Sequence, residues 1–76
     1  MQLGTRWSVG APPPTRLSVE MRSAVRGVET TLEGYDTSDW RWTLTWLEGL
    51  PVVELDDGTV IRQSRDLSVS VSASDR

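Results

Sequence analysis

Between Trp40 and Ile61 the apolar residues fall at alternate positions, and two turn signals divide the stretch. A period of two marks strands with one buried face, because successive side chains point to opposite sides. Trp40, Trp42, Leu44 and Trp46 share one side; Arg41, Thr43, Thr45 and Leu47 share the other. With Glu48-Gly49 as a two-residue hairpin loop, Trp46 falls opposite Pro51, Leu44 opposite Val53, and Trp42 opposite Leu55. Arg41 then stands opposite Asp56, a favourable cross-strand pair. The turn Asp56-Asp57-Gly58 reads as a three-residue loop with Gly58 left-handed, which sets Val53 beside Ile61 and Leu55 beside Thr59. A two-residue Asp57-Gly58 loop would place Glu54 opposite Ile61 and split the apolar face, so the register rule rejects it. Strands are therefore expected over 40–47, 51–55 and 59–63, with Trp40, Trp42, Leu44, Trp46, Pro51, Val53, Leu55 and Ile61 on one face.

That face needs a partner. Leu17, Met21, Ala24, Val25, Val28 and Leu32 form one stripe of a 3.6-residue period, which predicts an amphipathic helix over 17–33. Glu20, Arg22, Arg26, Glu29, Thr30 and Glu33 fill its polar side. Ser18 or Thr15 suits the N-cap, and Gly34 the C′ position. Gly27 marks either close approach of the helix to the sheet or a tolerated defect. Helix and sheet bury their apolar sides against each other, since neither can do so alone. The expected fold is α+β: one amphipathic helix on a three- to four-stranded antiparallel meander.

The flanks are less regular. QLGTRWSV, residues 2–9, alternates as a short N-terminal strand would, although Gly4 weakens the signal. APPPT, residues 11–15, is a stiff connector; its consecutive prolines do not fit PxxP recognition. Residues 67–72, LSVSVS, alternate fully and read as a fourth strand, the alternative being a mobile tail. Asp36 and Asp39 in the loop 34–39 lack the further oxygen ligands of a calcium loop and are expected to be solvated turn acids.

A chain of 76 residues reads as one small domain and buries only roughly 60% of its unfolded surface. Leaving one Trp exposed forfeits on the order of 2 kcal/mol, so the tryptophans are expected to serve mainly as core. Cys and His are absent and every basic residue is Arg. Thiolate metal sites, thiol nucleophiles and the usual near-neutral acid–base group are thereby excluded. Without His or Lys no obvious base activates a Ser or Thr, and no phosphate-binding loop motif is present. The chain is not expected to be an enzyme or to hold a cofactor or metal. A net charge of −3 argues against duplex DNA and anionic membranes as partners. No apolar run suits a membrane-spanning helix, and MQLGTRW lacks the apolar segment of a secretory signal, so a cytoplasmic location is expected. Missing Lys, Asn and Phe suggest a GC-rich gene, from a bacterium or its phage.

What remains is protein binding. The outer face would gather Leu47, Leu50, Val52 and Val60 beside Arg41 and Arg62, and Trp7 would add an anchor or else a lid over the core. The partner would be another protein or a second copy of this chain. One alternative has the N-terminal strand and Trp7 cover that face. A second has Trp7 or Trp40, with Arg6 or Arg41, stack single-stranded nucleic acid or a planar ligand.

Overall fold

The computed structural model describes residues 4–73. In chain order they form β1 (Thr5–Ser8), α1 (Val19–Thr31), β2 (Arg41–Leu47), β3 (Leu50–Leu55), β4 (Val60–Gln63) and β5 (Val69–Ser72). The strands make one antiparallel sheet in the order β1-β2-β3-β4-β5, with α1 across one side. The α+β class is as expected, but the strands number five rather than three or four. Both irregular flanks supply one. Of the expected N-terminal strand 2–9, residues 2 and 3 lie outside the described residues.

Both central registers match the sequence derivation. Trp42 faces Leu55, Leu44 faces Val53, Trp46 faces Pro51, and Val53 faces Ile61. Glu48 and Gly49 both take left-handed φ, 55° and 80°, so the twist of their turn suits the two strands it joins. Gly58, at φ 98°, closes the second hairpin, in which Leu55 N–H donates to Thr59 O at 2.8 Å. The third hairpin follows the same pattern with a less suitable residue. Leu67 takes φ 73° in the place that Gly58 occupies before it. Leu67 is therefore an exposed turn residue rather than the start of an apolar strand face, and β5 begins only at Val69.

α1 is shorter at both ends than the expected 17–33. Its N-cap is Ser18, whose Oγ accepts from Met21 N–H at 3.1 Å and donates to Gln63 Oε1 at 3.1 Å. The cap thus ties the helix start to β4, where Gln63 is buried and also donates from Nε2 to Leu67 O. Leu32 is the C-cap, which puts the left-handed Gly34 one place beyond C′. Gly27 marks no close approach: a Cβ there would meet nothing within 4 Å. Relative to Ala it costs about 1 kcal/mol of helix propensity.

The core lies between α1 and the sheet. It comprises Trp7, Leu17, Met21, Val25, Trp42, Leu44, Val53, Leu55 and Ile61. Trp40 and Trp46 are half-buried against its margins, so the interior is less rich in Trp than the strand pattern alone suggests. Trp42 is the largest fully buried side chain and stacks on Trp7, with ring centroids 6.3 Å apart at 21°. Its Nε1 donates to Glu29 Oε2 at 2.9 Å, and the same oxygen accepts Gly10 N–H at 3.0 Å. Glu29 therefore does not belong to a solvated helix face. It holds the indole and the connector after β1 to the helix.

Candidate protein-binding face

The side of the sheet away from α1 is built by the positions that alternate with the core. From β1 to β5 it presents Arg6 and Ser8, then Arg41, Thr43, Thr45 and Leu47, then Leu50, Val52 and Glu54, then Val60 and Arg62, then Ser70 and Ser72. No described helix or strand covers it. β1 does not fold over this face; it pairs with β2 and lengthens the sheet at its edge. Trp7 points to the opposite side, 9% exposed and stacked on Trp42, so it is a core residue and not an anchor for a partner.

The registers bring four of the expected residues into one strip. Leu47 pairs with Leu50 across the first hairpin, Val52 follows two residues along β3, and Val60 lies diagonal to Val52 on β4. Diagonal neighbours on one face of a sheet remain within reach of larger side chains. Leu47 is 58% exposed, while Leu50, Val52 and Val60 are half-buried by one another and by the polar side chains around them. Arg62 pairs with Val52 and borders the strip. At the end near the first and third turns the surface sinks into a shallow groove of about 380 Å³, lined by Leu47, Leu50, Val52, Arg62 and Arg65 among others. Arg65 was not anticipated from the sequence; only the third turn, whose Leu67 gives no glycine signal, brings it there.

Arg41 stands apart from this strip, at the far end of β2. Its Nη1 donates to Trp40 O at 3.2 Å and Ser38 O at 3.4 Å. The expected side-chain pair with Asp56 does not form. Asp56 Oδ2 instead accepts Arg41 backbone N–H at 2.9 Å, and Asp56 Oδ1 lies 3.6 Å from Arg6 Nη2. A carboxylate at a strand end satisfies an otherwise open backbone donor more directly than it reaches a long side chain. The exposed Arg6 pair is of a kind that contributes little to stability.

Trp7 is buried, Trp40 is half-buried against the core, and both nearby arginines already have partners. The loop acids do sit in turns. Asp36 accepts from Ser38 Oγ at 2.8 Å and Ser38 N at 3.2 Å, and Asp66 accepts likewise from Ser68 at 2.7 and 3.0 Å. In each case the side-chain hydrogen bond from serine, then the backbone one, holds the carboxyl below its ordinary pKa. Among the described residues no three Asp or Glu side chains converge as a metal site would need. No described helix is long and apolar enough to cross a membrane. Comparison with protein-family models, curated proteins and solved structures finds no match.

Proposed function

We propose that this chain is a non-catalytic protein-binding module, acting as an accessory, adaptor or inhibitor that docks a partner protein on the outer face of its sheet. The observation that carries the reading is the uncovered apolar strip of Leu47, Leu50, Val52 and Val60 with Arg62 at its margin. An apolar centre bordered by arginine is the composition of a protein interface, where fully desolvated contacts supply most of the binding energy. In a domain this small, half-exposed Leu and Val side chains add nothing to the core on the other side. The same reading places the protein in the cytoplasm, since a chain without cysteine needs no oxidising compartment to fold.

The test is affinity capture from native lysate with the wild type and a Val52→Arg, Val60→Glu double variant side by side. Partners held by the wild type and lost by a folded double variant support the outer face as the interface. Identical sets of captured partners would overturn it.

A further inference from the structure

We infer that the open edge of β5 and the groove beside α1 form the surface on which a second copy of this chain docks, giving a two-fold dimer with a continuous sheet. This surface lies apart from the outer face, and the inference stands without the reading above.

Three observations meet at this edge. The first is backbone chemistry. Ser64 N–H donates to Ser68 O at 2.9 Å, and Arg62 pairs with Ser70 and Val60 with Ser72. Hydrogen-bonded and non-hydrogen-bonded pairs alternate along an antiparallel ladder, so Val69 and Val71 direct their N–H and C=O groups away from β4 to the open side. β5 reads Val-Ser-Val-Ser, without the Lys, Pro or bulge that guards a free edge, whereas the other edge strand, β1, carries the charged Arg6. The second is an apolar side chain left uncovered on the core side of the sheet. Val71 pairs with the fully buried Ile61 yet is 52% exposed, because no described element lies beyond it. A groove of about 430 Å³ opens there, lined by Ala24, Gly27 and Thr31 of α1 and by Val71 and Ala73, with no charged residue in its lining. The third is Gly27, a helix-weakening residue where a Cβ would meet nothing within 4 Å outside its own helix backbone. Its effect is to leave that groove empty.

A second copy fits all three. A two-fold axis beside β5 pairs Val71 with its own counterpart and continues the ladder through the free groups of Val69 and Val71. Strands lie about 4.8 Å apart, and α1 touches β4 and β5, so the axis sets the two helices about 10 Å apart. That is the contact distance of packed helices, and the small side chains of Ala24 and Gly27 would face each other across it. An isolated foreign strand satisfies the backbone groups but brings no helix to close the groove. The uncharged lining also spares two copies of net charge −3 a like-charge contact at the seam.

Sedimentation equilibrium of the full chain, from micromolar to millimolar concentration, should show a dimer of the 8.5 kDa chain. Gly27→Leu, which fills the groove from a position open to solvent, and Val71→Lys, which charges the edge, should each weaken association at least about tenfold with a cooperative melt retained. Val52→Arg on the outer face should leave the dimer intact. Amide exchange at Val69 and Val71 should slow as the wild-type concentration rises, a readout that needs no variant. A wild type that stays monomeric at millimolar concentration would overturn the inference. So would a dimer that survives both edge variants, or one that Val52→Arg alone dissociates.

Discussion

The two faces of this sheet are made by the same strands, residue by residue in alternation, and they have opposite fates. Val53 is fully buried while its neighbour Val52, of identical chemistry, lies half-buried on a side that no described helix or strand covers. The inner face meets the apolar stripe of α1; the outer face meets no described element. Apolar character alone therefore does not decide what becomes core. The presence of a complementary element does, and the described residues offer one helix. The apolar residues left on the other side are then available for a partner.

The largest expected effect lies on the inner face. Trp42→Ala removes the largest fully buried side chain together with its stack on Trp7 and its bond to Glu29. Truncating a core aromatic costs about 3 to 5 kcal/mol, a large share of the stability of so small a domain. Chemical denaturation followed by Trp fluorescence measures it; a normal midpoint would show that the inner face is not the core. A smaller effect is expected where α1 grips that face through a polar contact. Glu29→Ala leaves the indole N–H of Trp42 and the backbone N–H of Gly10 without an acceptor, for a loss of about 1 to 3 kcal/mol, while Glu29→Gln retains an accepting oxygen and loses less. Equal urea midpoints for the two variants would mean that hydrogen bonding is not what Glu29 contributes.

The inner face was legible in the sequence because one constraint, a single apolar side, fixed both hairpin registers at once. Trp42↔Leu55 and Val53↔Ile61 follow from turn chemistry and alternation without any tertiary information. What the sequence did not show lies where local signals are silent or point elsewhere. Leu67 adopts the left-handed turn position that Gly58 fills in the preceding hairpin, so the third turn was absorbed into an apparent strand. Glu29 flanks the apolar stripe and looked solvated; the buried indole of Trp42 needing an acceptor was the available clue. Trp7 gave a strand signal too short to place it on either face, and only pairing with β2 decided that it points inward. Of the expected binding residues, the strip of Leu47, Leu50, Val52 and Val60 followed directly from the alternation. Arg41 and Trp7 did not join it, because strand-end hydrogen bonding and core stacking took them elsewhere.

The contrast between the faces can be measured at one pair of adjacent residues. Val53→Arg and Val52→Arg make the same substitution one position apart on β3, so propensity and charge change are matched and only the face differs. Thermal unfolding of the two variants beside the wild type should show Val53→Arg unfolded at room temperature, since an unpaired charge in the core is strongly unfavourable, with Val52→Arg melting within a few degrees of the wild type. Comparable losses at both positions would contradict the account, because the outer face would then be supporting the fold rather than standing free for a partner.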